Sequence, residues 1–159
     1  MFEEKTIIAL KWIVGILNNK KIPFRISGGF AAKIYGSTRE LADIDIGIET
    51  NRFSEIISDI KNYVIEEPGF YKDSQWDLFA STLEYEGQKI DLVSIDLLKF
   101  FNKKENRWED LKHTFSDIEY KEVYGATLPL ISKKNLIEYK TKLGRDVDLI
   151  DVNEITKND

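Results

Sequence analysis

The chain contains no cysteine, a single histidine and a single methionine in 159 residues. Without cysteine there can be no disulfide, no thiolate nucleophile and no zinc–thiolate site. One histidine, His113, gives a histidine metal cluster or a Ser-His-Asp triad almost nothing to work with, and a surface or loop position is expected for it. The glycines at 29 and 36 are not followed by Gly-Lys-Ser/Thr, so a P-loop is not supported. No apolar run reaches the roughly 18 residues that a membrane-spanning helix needs. The start, Met1-Phe2-Glu3-Glu4-Lys5, lacks the basic-then-apolar order of a signal peptide, so a cytoplasmic location and no membrane association are expected. Acidic residues outnumber basic ones, 28 to 23. A net charge of −5 argues against a nucleic-acid binder, which would carry a basic face. It still allows a small anionic substrate held by a few local cations and metal ions.

The rest of the composition is ordinary, and the length suits one domain over 1–159 with no repeats or linkers. Residues 3–19 place Ile7, Leu10, Val14 and Leu17 on one helical stripe that Pro23 ends. Residues 24–27 read as a short strand broken by Gly28-Gly29, and 30–35 as a short helix closed by Gly36. A strand at 43–49 comes next, then an amphipathic helix built on Phe53, Ile56, Ile57 and Ile60, then a turn at Pro68-Gly69. Residues 78–85 and 89–95 form a hairpin through Glu86-Gly87-Gln88. The stretch 100–115 carries no clear period, and Trp108 fits a short helix or a loop. Tyr124-Gly125 turns into a strand at 127–131, Ser132 N-caps a helix to Leu143 that Gly144 interrupts, and a last helix covers 146–155 before a tail expected to fray. The fold class is α/β (α+β): a mixed β-sheet flanked by helices and finished by C-terminal helices.

The most informative segment is Ala42-Asp43-Ile44-Asp45-Ile46-Gly47-Ile48. In a strand, successive side chains alternate between faces, so Asp43 and Asp45 share one face and the isoleucines fill the other. Their carboxylates stand roughly 7 Å apart along the strand and can bracket two divalent cations of a phosphoryl-transfer site, about 3.5–4 Å from each other. A plain amphipathic edge strand with a solvated acidic face would show the same spacing. Without a cation, such like charges repel. Asp91, in Gln88-Lys89-Ile90-Asp91-Leu92-Val93-Ser94-Ile95, is the candidate third acid, a lone carboxylate on a face shared with Val93 and Ile95. Asp96 reads as a cap for the segment beyond that strand. Ser27, Gly28 and Gly29, at a strand-to-helix turn, let a backbone approach an anion. Arg39 could offer its planar fork to a phosphate or lie on the surface. Trp76 and Phe79, beside Asp77, could line a nucleobase or acceptor pocket.

The run from Gly28-Gly29 through Gly36-Ser37-Thr38-Arg39 to Asp43-Ile44-Asp45 resembles the signature of the DNA polymerase β-like nucleotidyltransferase superfamily. It is most similar to the small bacterial and archaeal branch of the lincosamide and aminoglycoside nucleotidyltransferases. The resemblance is strongest over 24–49 and extends to Asp91 and to the ending from Tyr139-Lys140 through Lys142, Gly144-Arg145 and Asp148 to Asp151. It implies a nucleotidyltransferase fold in which Asp43, Asp45 and Asp91 hold Mg²⁺ (or Mn²⁺). An NTP donor such as ATP is held by Ser27, Gly28 and Gly29. Asp91 also serves as general base on an acceptor hydroxyl, and Lys140 or Lys142 offsets triphosphate charge. The implied activity transfers a nucleoside monophosphate to a small-molecule or protein acceptor and releases pyrophosphate. The alternative is an antitoxin-like or other protein-interaction module that keeps the fold, with or without catalysis. Antibiotic-modifying members usually carry more chain, so a shallow pocket, or one completed in a homodimer or by a partner protein, is expected.

Overall fold

The computed structural model describes residues 2–111 and 115–157, so His113 and the last two residues of the tail lie outside the described residues. The elements in chain order are α1 (Glu4–Asn19), β1 (Arg25–Ser27), α2 (Gly28–Ile34), β2 (Asp43–Ile48), a 3₁₀ segment (Thr50–Glu55), α3 (Ile57–Ile60), a second 3₁₀ segment (Lys61–Tyr63), β3 (Val64–Lys72), β4 (Trp76–Tyr85), β5 (Gln88–Asn102), β6 (Arg107–Asp110), β7 (Ile118–Val123), β8 (Ala126–Ile131), α4 (Lys133–Leu143) and α5 (Asp146–Lys157). The strands form one sheet in the order β3-β4-β5-β2-β1-β8-β7, with β6 pairing along β5. It is mixed: β2 runs parallel to β5 and β1 parallel to β8, and the other pairs are antiparallel.

The alternation expected of β2 is present. Ile44, Ile46 and Ile48 are fully buried, while Asp43 and Asp45 are only partly so. The isoleucines join Ile90 and Leu92 of β5 and the α1 stripe of Ala9, Leu10, Ile13 and Leu17 in one continuous core. Burying such a side chain stabilises by roughly 1.5–3 kcal/mol, which holds β2 in register and leaves no freedom to turn its acids inward. The β4–β5 hairpin closes through Glu86-Gly87, both at positive φ, with Tyr85 opposite Gln88. Ser132 caps α4 by accepting from the Asn135 N–H, and Gly144 ends it in the left-handed conformation.

Four expectations need correction. Pro68-Gly69 does not turn the chain but lies inside β3, an edge strand where a missing N–H costs little and register shifts absorb the irregularity. The helix expected around Phe53 to Ile60 is two 3₁₀ segments around one helical turn. Its anchors Phe53, Ile56 and Ile60 are buried, whereas Ile57 is exposed. Asp96 lies within β5, which runs on to Asn102, and caps backwards by accepting from the Thr50 N–H at 2.9 Å. Trp108 sits in β6, its ring edge-on to Phe101 at 5.6 Å.

Candidate active site

Strand register assembles the acids. Asp45 lies directly opposite Asp91 on parallel β5 and opposite Ser27 on antiparallel β1, and Asp43 is two residues earlier on the same face. One carboxylate oxygen from each of Asp43, Asp45 and Asp91 lies within 4.8 Å of the others. This arrangement is electrostatically unfavourable in the bare chain. Burial, then the charges of Asp43 and Asp91, push the Asp45 carboxyl well above its ordinary range, against the pull of Lys140 and Arg145. Burial also raises Asp91; a hydrogen bond from Thr82 Oγ1 at 2.8 Å opposes this, Asp43 adds to it, and the group titrates at about 6. Three hard oxygen donors converging on one point fit Mg²⁺ or Mn²⁺, whose positive charge would relieve the repulsion.

Gly28 begins α2 at φ +63°, and a Cβ there would lie 1.9 Å from Asp45 Oδ2. The glycine therefore makes room for the acid itself as well as for the turn. Gly28→Ala is expected to lose about 1–2 kcal/mol from the left-handed backbone alone and to displace the Asp45 carboxylate. Gly87→Ala is the control, because φ there is +80° and nothing lies within 4 Å of the added carbon. Calorimetric melting should show Gly28→Ala clearly less stable than Gly87→Ala, and Mg²⁺ binding should weaken only in Gly28→Ala. Equal melting and equal Mg²⁺ affinity would refute the packing role.

The acids open onto a cavity of about 640 Å³, walled by the sheet and by Tyr139, Lys140 and Leu143 of α4. Ser27, Gly28, Gly29, Arg39 and Trp76 also line it. Phe79 does not; its ring packs edge-on to Phe53 and Phe70. The cations expected to serve phosphate have other commitments. Arg39 holds Asp151 with Nε at 3.1 Å and Nη2 at 2.9 Å. Lys140, only 2% exposed, lies between Asp151 at 2.9 Å and Asp148 at 3.2 Å. Lys142 does not line the cavity and pairs with Glu109 and Glu138 instead.

Four further residues belong to the site. Arg145 lines the cavity, pairs with Asp148 at 2.6 Å and lies 5.7 Å from the Trp76 ring centroid. Tyr139 is held neutral by burial and then by the Asp45 charge, both of which raise its hydroxyl pKa well above the ordinary value. Arg25 is buried on β1, on the same face as Ser27. Thr82 escaped the hairpin reading, which left Gln88 in the turn; the structure pairs Tyr85 with Gln88, and three steps along β4 and β5 from that pair reach Thr82 and Asp91.

The fold is the nucleotidyltransferase fold, and it matches solved structures over nearly the whole chain. A candidate nucleotidyltransferase of Thermotoga maritima superposes with a TM-score of 0.75 at 19% identity, over 100% of this chain and 97% of that one. The lincosamide antibiotic adenylyltransferase LnuA, solved with lincomycin bound, gives 0.67 at 15% identity, over 99% and 98%. ANT(2'')-Ia, in complex with adenylyl-2''-tobramycin, gives 0.59 at 14% identity, over 94% and 87%. No family model and no curated protein sequence matches the chain. The expectation that antibiotic-modifying members bring more chain does not hold for LnuA, which this chain covers almost end to end.

Proposed function

We propose that the chain is a metal-dependent nucleotidyltransferase that moves a nucleoside monophosphate from an NTP to a hydroxyl of a small-molecule or protein acceptor. The observation that carries this reading is the convergence of Asp43, Asp45 and Asp91 at the mouth of one cavity beside Ser27, Gly28 and Gly29. An interaction module would have no use for three acids held together against their repulsion. Asp43 and Asp45 would hold Mg²⁺ (or Mn²⁺), with Asp91 as third ligand. When bound, these ions supply charge neutralisation at the triphosphate and at the entering and leaving oxygens. Asp91, titrating at about 6 in the bare chain, suits a general base that takes the acceptor hydroxyl proton. The acceptor oxygen then bonds to the α-phosphorus, the bond to the β-phosphate oxygen breaks in line, and pyrophosphate leaves. Thr82 orients Asp91, and Ser27 with the glycine turn positions the triphosphate. Lys140 acts on the site through its buried charge.

Thermal melting with each of the four NTPs, with and without Mg²⁺, tests the proposal. Donor at a hundred times its Kd should stabilise by about 2.7 kcal/mol, and only with the metal present. Stabilisation independent of Mg²⁺, or none with any NTP, would refute the reading.

A further inference from the structure

Among the described residues five cations line the cavity, and four of them are paired. Arg39 pairs with Asp151, Lys72 with Asp77, Lys140 with Asp148 and Asp151, and Arg145 with Asp148. Arg25 is the exception: among the described residues no carboxylate is in ion-pair contact with it, Asp117 acting on it only through space, it is only 4% exposed, and its Nε has no hydrogen-bond partner. A guanidinium buried in this way is costly to the fold, and an apolar side chain would serve packing better. Gly47, its partner across β1 and β2, contributes no side chain. Val93 and Ile95, beyond Asp91 on the same face, and Tyr139 line the cavity with it and are largely apolar. Arg25 lines the same cavity as Asp43, Asp45 and Asp91.

Resting on the nucleotidyltransferase reading, we propose that Arg25 anchors an oxyanion, a carboxylate or phosphate, on the acceptor, which is therefore an anionic molecule with an apolar body. Register supports the acceptor over the nucleotide. Arg25 stands one side-chain step along β1 from Ser27, roughly 7 Å, on the side away from the Gly28–Gly29 turn assigned to the triphosphate. An incoming oxyanion would supply the missing Nε partner in a charge-assisted bond, which is strong in a water-poor site. It would also hold the acceptor against the wall that carries Asp91, with its hydroxyl turned toward that base.

Benzoate and benzamide differ chiefly in charge and serve as probes, titrated into the ¹⁵N-labelled full chain while the arginine Nε–H resonances are followed. Benzoate should bind about tenfold more tightly than benzamide, a charge-assisted hydrogen bond being the difference, and should shift the Arg25 Nε–H signal. Arg25→Met should make the two probes equal, and Arg25→Lys should restore part of the preference. Benzoate binding should persist with Mg²⁺ and the α,β-methylene analogue of the most stabilising NTP. Equal binding of the two probes by the unaltered chain overturns the proposal, as does a preference that survives in Arg25→Met. Displacement of benzoate by the analogue overturns it too, by assigning Arg25 to the nucleotide. If no NTP binds while the benzoate preference stands, the transferase reading falls and takes the acceptor assignment with it. The anion preference then remains as a separate result, so the two failures are distinguishable.

Discussion

Asp45→Asn is expected to abolish nucleotidyl transfer while making the metal-free protein more stable. Asp45 is the central acid, opposite Asp91 across the parallel pair and two residues from Asp43. Its carboxyl is raised by burial first and by those two charges next. A carboxyl whose folded pKa lies above its unfolded value contributes stability below the unfolded value, and that stability is lost as pH rises through the folded one. For Asp91 the window runs from 3.8 to about 6; for Asp45 it extends in the same direction. As pH rises through these windows the bare chain therefore takes on the repulsion. Neutralising the central member should recover on the order of 2 kcal/mol, or roughly 4–8 °C in melting temperature. With Mg²⁺ and NTP the order should reverse, because the variant has lost a ligand. Transfer should fall at least about a thousandfold, a few kcal/mol of transition-state stabilisation. Melting in EDTA from pH 4 to 8, paired with pyrophosphate release, provides the measurement. A variant that melts below the unaltered chain in EDTA throughout, or keeps a tenth of its activity, would remove Asp45 from its assigned place.

The acidic strand and the β4–β5 hairpin could be read in advance because both obey local rules. Period two places Asp43 and Asp45 together, and Glu86-Gly87-Gln88 marks the join of two strands, though the structure shortens that turn to Glu86-Gly87 and so sets Thr82 opposite Asp91. The features that escaped reading depended on position in the sheet or on distant partners. Pro68-Gly69 is a turn signal in isolation and is tolerated in β3 only because β3 is an edge. Spacings of three and four at Phe53, Ile56 and Ile60 suit an α-helix, yet broken 3₁₀ segments bury the same residues. Arg39 and Lys140 look like phosphate ligands near an acidic motif, but their partner Asp151 lies on α5, 112 residues from Arg39. No periodicity reports such a pairing. Arg25 shares a face with Ser27 by simple alternation, and only the structure shows that, among the described residues, no carboxylate forms an ion pair with it.

Asp151→Ala should be the most destabilising of these substitutions, at about 3–5 kcal/mol, the usual result of removing one partner from a buried charge network. Asp151 is fully buried and accepts from Ser37 Oγ at 2.6 Å, from both sides of the Arg39 fork and from Lys140 Nζ. It ties the loop after α2 to the two C-terminal helices, so its removal leaves Lys140 with Asp148 alone and strips Arg39 of the carboxylate its fork holds. Arg39 Nη2 also lies 3.1 Å from where a Cβ on Gly29 would be, so its release would loosen the glycine turn beside the acids. Burial alone would raise Asp151, but hydrogen bonds from Arg39, Ser37 and Lys140 outweigh it and hold the carboxyl at about 2. A depressed carboxyl contributes stability above its unfolded pKa and loses it as pH falls through the folded one. The unaltered chain should therefore lose this contribution between about pH 4 and 2, a slope that Asp151→Ala lacks. Urea unfolding at pH 7 and acid titration of both proteins measure the two effects. A variant within about 1 kcal/mol of the unaltered chain at pH 7, with the acid slope intact, would mean that the network does not hold these helices. Arg39 and Lys140 would then be available to a triphosphate, as their place in the sequence first suggested.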